Sequence, residues 1–229
     1  ITFPDKPVYP ASRTVKDHFF NIMNVYGAAV FFPNLKPEVF RQEGHRLEFD
    51  DEGNLRLTGV VLNEMEGNYA TKENVVAEWA YRSLFPESPY SHDSGGDPIE
   101  IPSLTYEKFL DFHKKYYHPQ NCRVILYGDI PTEIHLEYLD RMFLSRFSRQ
   151  EIPKIEIPSQ KRWNAPVRLE KHYPAPDKDV KGKTSVMMNW LSSEITNAQM
   201  LLSMEILEEV LIGHSGSPLE MALRDSGLG

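Results

Sequence analysis

The stretch EIPKIEIPSQKRWNAP, residues 151–166, limits the folds open to this chain more than any other feature. Three spaced prolines break any helical or alternating period, and each lacks the N–H that a helix interior or a central strand would use. The stretch predicts an extended linker. It divides the 229 residues into residues 1–150, enough for a core of their own, and residues 167–229, marginal as an independent domain.

Upstream of the linker, apolar residues at Val15, Phe19, Ile22, Tyr26 and Ala29 or Val30 fall at helical spacing over residues 14–31, and Pro33 stops them. Pro37 suits a first helical turn, which predicts a second helix from there to about Glu48. Asp50, Asp51 and Gly53 predict a turn. Residues 55–62 are apolar and β-branched enough for a strand, which delivers Glu64 to a strand-to-helix junction. Gly67 and Asn68 interrupt the pattern; helix resumes from Lys72 to Leu84, with Trp79 and Leu84 on its packing side and Pro86 as its stop. SHDSGGDP, residues 91–98, predicts a loop. A helix at 105–117, a strand at 122–127 and a helix at 131–145 follow. Beyond the linker the pattern predicts strands at 167–173 and 184–191, then an amphipathic helix at 196–212 built on Met200, Leu201, Met204, Leu207, Val210 and Leu211.

Hydrophobic residues at 41% and charged residues at 25% describe an ordinary soluble, packed chain. The formal net charge is -8 and the basic residues are scattered, so nothing marks the chain for nucleic acid. No apolar run approaches the roughly 18 residues that cross a bilayer, and the N-terminus has no signal pattern. Cys122 is the only cysteine, which excludes an intrachain disulfide and a cysteine-based zinc knuckle; its apolar neighbours predict burial in the core. Because the chain begins at Ile1 rather than Met and ends on SPLEMALRDSGLG, it reads as a piece of something longer.

Eight histidines call for a metal search. Two imidazoles on one helix reach a zinc ion when they stand four apart, as in HExxH or HxxEH, and neither pattern occurs. HRLEF, from His45, has Phe49 where a second ligand would stand. His113 and His118 lie roughly 140° apart on a straight helix and cannot share a metal. There is no GxSxG, and Cys122 has no designated base. The SGGDP run lacks the Lys-Ser/Thr of a phosphate cradle and has an aspartate where an anion would sit, so it reads as a structural turn.

That leaves NEMEG, residues 63–67. Two glutamates two apart on a helix point about 200° apart, so only one of Glu64 and Glu66 can face a given site. On spacing alone, both carboxylates could simply sit near a helix N-terminus, where the dipole favours negative charge by roughly 0.3–1 kcal/mol.

Longer strings say more. GVVLNEMEGNYATKENV, the block LFPESPYSHDSGGDPIEIPSLTYEKFLDFHKKYYHPQNCRVILYGDI, and SPLEMALRDSGLG together resemble the presequence protease and falcilysin group of the pitrilysin-insulysin metallopeptidases, over nearly the whole chain. The resemblance implies an α+β fold of the LuxS-like, mitochondrial-processing-peptidase-like type, with helices packed on a mostly antiparallel sheet. Residues 1–150 would be the C-terminal part of a first such domain, residues 151–166 a linker and residues 167–229 the beginning of a second.

In that family an HxxEH helix supplies two zinc-binding histidines and a glutamate that activates water. The third ligand is a glutamate in a motif reading NEM, then a basic residue, then Gly. Glu64 matches that ligand; Asn63 beside it could orient the carboxylate, with a helix-capping role for Asn63 equally open. The chain departs from the motif at Glu66, where a basic residue is common, and has no HxxEH helix, which the resemblance puts upstream of Ile1. This piece alone is therefore expected to be inactive and not to hold zinc. The resemblance implies oligopeptide substrates hydrolysed in an enclosed chamber, the remainder of its own polypeptide as a partner, no nucleic acid, no membrane span, and a bacterial cytoplasm or organelle matrix. The alternative is a non-catalytic scaffold or processing-partner subunit of the same fold.

Overall fold

Helix α1 (Lys16–Phe31) opens the regular structure at the predicted place. The structure is a computed structural model and describes residues 1–152, 155–175, 180–192 and 194–227. Next come α2 (Pro37–Glu43), β1 (Arg46–Phe49), β2 (Leu55–Thr58), α3 (Val60–Tyr69), α4 (Lys72–Leu84), α5 (Tyr106–Tyr116) and α6 (Thr132–Met142). These belong to one compact unit, Ile1–Met187; a second, Met188–Gly229, holds α7 (Ala198–Ile212) and α8 (Pro218–Asp225). Among the described residues the chain is helix-rich α+β with one two-stranded antiparallel sheet.

Two packed regions organise the first unit. In one, α1 lies on α6 and α5: the buried Phe143 ring fills the space over Gly27, where a Cβ would overlap it. Tyr138 donates to the Phe20 carbonyl at 2.9 Å, and His113 Nε2 donates to the Val30 carbonyl at 2.9 Å. In the other, Leu62 and Met65 of α3 are buried with Ile101, and Val61 and Tyr69 pack around them. Each such side chain contributes about 1.5–3 kcal/mol when fully buried.

The structure corrects several expectations. The second helix does not reach Glu48; it ends at Glu43, where the Gly44 N–H caps the Phe40 carbonyl at 2.8 Å. Residues Arg46 to Phe49 instead pair with β2, Arg46 opposite Thr58 and Phe49 opposite Leu55, around the turn that carries Gly53 at φ 82°. That ladder satisfies backbone groups which a fraying helix end would leave to solvent.

The strand expected over residues 55–62 stops at Thr58, and α3 begins at Val60. Gly59 sits at the switch because a Cβ there would overlap the Gly44 carbonyl. Gly67 and Asn68 do not interrupt α3, since a glycine within a helix costs only about 1 kcal/mol and the helix is held by its buried face.

The strands expected at 122–127, 167–173 and 184–191 have no ladder among the described residues. A strand is held by its neighbour's N–H and C=O groups, and none pairs here. Tyr127 is 100% exposed and Cys122, expected in the core, is exposed. The 167–173 segment is held by its side chains instead: Lys171 Nζ stands 4.0 Å from the centre of the Trp79 ring. The expected linker carries no regular element; its residues 153 and 154 lie outside the described set.

In the second unit, α7 matches its expected range but buries none of its residues. Asn197 Oδ1 caps it by accepting from the Met200 N–H at 3.0 Å. Helix α8 was not anticipated, although Ser217, Pro218 and Glu220 spell a helix start.

Candidate functional site

Helix α3 carries the candidate ligand, and its neighbours fix its pose. Leu62 is fully buried and Met65 is 2% exposed, so one face is committed to the core. Glu64 lies on the opposite side, exposed, with no hydrogen bond or ion pair among the described residues; Glu66 is exposed as well. The first turn of α3 holds no acidic residue, so Glu64 stands past the positions that a helix dipole rewards. A carboxylate neither paired nor used as a cap is a free oxygen donor.

Asn63 bonds back toward the start of the helix. Its Nδ2 donates to Thr58 Oγ1 at 3.1 Å and its Oδ1 accepts from the Gly59 N–H at 3.4 Å. The amide fastens the start of α3 to the end of β2 and makes no bond to Glu64.

The SHDSGGDP loop forms the floor behind the helix. Asp93 Oδ1 accepts from the Gly95 N–H at 2.8 Å, Asp97 Oδ1 accepts from the Ile99 N–H at 2.9 Å, and Gly96 takes φ 96°, open to glycine but strained for other residues. Arg82 of α4 ties the loop to both helices. Its Nε reaches Glu78 Oε1 at 2.7 Å, and its terminal nitrogen reaches Asp97 Oδ2 at 3.0 Å and the Tyr69 hydroxyl at 3.1 Å. Burial opposes the Arg82 charge, yet the hydrogen bonds to Glu78 and Asp97 hold its pKa above the ordinary value. Burial, then the Glu78 charge, pushes the Tyr69 phenol up to about 12. The sequence offered one hint of this network, Glu78 and Arg82 four apart on a helix.

An open groove of about 330 Å³ runs beside α3 and α4, lined by Asn68, Tyr69, Asn74, Glu78, Tyr81 and Tyr90 among others. Asn68 is one helical turn past Glu64, on the same side of α3. No sequence pattern announced the groove, because its walls come from separate elements.

Three of the histidines serve the fold. His45 Nε2 donates to the Leu104 carbonyl at 2.9 Å, His113 is used by Val30, and His118 Nδ1 accepts from the Gln120 N–H at 3.2 Å. No group of three His, Cys, Asp or Glu side chains among the described residues is placed to hold a metal ion. Zinc takes four ligands. Glu64 fits as one oxygen donor to zinc, and the described residues do not complete a site around it. No helix among them is long and apolar enough to cross a membrane.

Residues 103–229 match the family described as Peptidase M16 inactive domain. Over its whole length the chain is 40% identical to presequence protease 1, chloroplastic/mitochondrial, of Arabidopsis thaliana, covering 22% of that protein. It is similarly 39% identical to Protein HypA of Clostridium perfringens, covering 24%, and 37% identical to the mitochondrial presequence protease of Xenopus tropicalis, covering 23%. The chain thus spans about a quarter of the length of the curated relatives it matches. Glu64, α3 and the SHDSGGDP loop all precede the stretch that matches the inactive domain.

Proposed function

The chain belongs to the peptidase M16 family, in the presequence protease group, and from that membership we propose that the whole protein is a zinc-dependent metalloendopeptidase that hydrolyses oligopeptides in an enclosed chamber. The observation that carries the proposal is Glu64: a free carboxylate on a helix whose opposite face is locked into the core. In this reading Glu64 gives zinc one oxygen ligand, and two imidazoles and the general base come from an HxxEH helix elsewhere in the whole protein. When bound, zinc supplies the Lewis acidity that readies a water for attack on a peptide carbonyl. Asn63 acts on Glu64 only indirectly, by holding the start of α3 to β2. These residues alone do not retain zinc or cleave peptides, because one carboxylate is too few ligands.

A second reading is a non-catalytic scaffold or processing-partner subunit of the same fold. The inactive-domain description of residues 103–229 favours it, and so does Glu66 standing where the family motif is commonly basic. Hydrolysis of an unfolded oligopeptide by the full-length protein separates the two. The peptidase loses activity to a chelator and regains it with zinc; a folded full-length protein inert toward such peptides is the scaffold.

A further inference from the structure

Met65 follows Glu64 directly and lies against Leu62 and Ile101; its sulfur also receives Asn68 Nδ2 at 3.7 Å. Across from it stands Gly95 of the SHDSGGDP loop. A Cβ on Gly95 would overlap Met65 Sδ and lie 3.0 Å from Met65 Cε and 3.5 Å from Asp93 Oδ1. Gly95 has no positive φ, so its lack of a side chain is what this contact uses, in contrast to Gly96 beside it.

The loop has little freedom to retreat. Asp93 holds the Gly95 N–H, while Asp97 holds the Ile99 N–H and the Arg82 guanidinium. Met65 is 2% exposed and packs with Leu62 and Ile101, so the flexible end of its side chain has buried neighbours to displace. Bulk added at residue 95 therefore presses first on the Met65 side chain, which α3 carries one residue from Glu64.

We propose that Gly95 is a positioning residue for Glu64: by leaving room for Met65 it sets the depth at which α3 seats, and so where the Glu64 carboxylate stands. This rests on the assignment of Glu64 as a zinc ligand. Groups bonded directly to metal ligands typically change metal affinity by about 10–100-fold; Gly95 acts one step further out, through Met65, so the lower end of that range is expected.

The test is zinc affinity of the full-length protein, by competition with a metal buffer, for wild type, Gly95→Ala, Met65→Ala, the double variant and Glu64→Gln. The expected result is a loss of about tenfold or more in Gly95→Ala, restored to near wild type when Met65→Ala is added. A Gly95→Ala protein that fails to fold, and that Met65→Ala restores with wild-type zinc affinity, shows a packing role alone and overturns the positioning role. Unchanged affinity in Gly95→Ala overturns it, as does a loss that Met65→Ala does not repair. If Glu64→Gln loses zinc while Gly95→Ala keeps it, only the positioning role fails. If Glu64→Gln keeps zinc, the ligand assignment fails and takes the positioning role with it.

Discussion

Helices α3 and α7 make an instructive pair. Helix α7 is the more apolar, AQMLLSMEILEEVLI, yet it buries none of its residues. Helix α3, VVLNEMEGNY, carries two glutamates, two asparagines and a glycine, yet it is seated by Leu62 and Met65 and tied down at its start by Asn63. An apolar pattern states what a helix would bury; only neighbouring elements decide whether it does. The short polar helix with a fixed back is the better platform for a functional carboxylate, because packing locks the orientation of the exposed face.

Truncating the buried faces gives the sharpest contrast. Leu62→Ala should lose about 2–5 kcal/mol of unfolding free energy, since it empties a site with no exposure. In the 229-residue chain by itself, Leu207→Ala on α7 should change it by about 0.5 kcal/mol or less, as for an ordinary surface substitution. Denaturant titration of both variants measures the difference, and equal losses would break the comparison.

Arg82→Ala comes next. It removes bonds to Glu78, Asp97 and Tyr69, and with the charged side chains still partly in solvent the expected loss is about 1–2 kcal/mol. Raised proteolysis in the 91–98 loop should accompany it.

Asn63→Ala should lose about 1 kcal/mol, with exchange of the first α3 amides accelerated and the rest of the helix protected. Hydrogen exchange that accelerates uniformly along α3 would place the anchor elsewhere.

The last effect is confined to alkaline pH. The Tyr69 phenol is raised from 10.0 to about 12 in the folded chain, so its contribution is complete below pH 10 and is lost as pH rises through about 12. Tyr69→Phe should flatten that part of the alkaline stability profile.

The sequence made some of this region readable and hid the rest. Helices α1 and α4 followed from apolar spacing closed by Pro33 and Pro86, and the 91–98 loop from its own turn residues. Glu64 was singled out by resemblance, since spacing alone left a helix-dipole role open. Strand β1 was hidden because Gly44 ends a helix and Arg46 to Phe49 take their structure from the facing strand, Leu55 to Thr58, across a turn. The contact of Gly95 with Met65 was hidden for the same reason: it joins elements thirty residues apart, and nothing in either stretch names the other. Unpaired segments at 122–127 and 184–191 show the converse, strand-like composition without a described neighbour to form a ladder.

The most direct measurement is zinc content of the purified full-length protein by elemental mass spectrometry, in wild type, Glu64→Gln and Glu66→Gln. Zinc near ~1 per chain in wild type and Glu66→Gln, with little in Glu64→Gln, is the expected result. Equal zinc in all three would show that the free carboxylate on α3 is not a ligand.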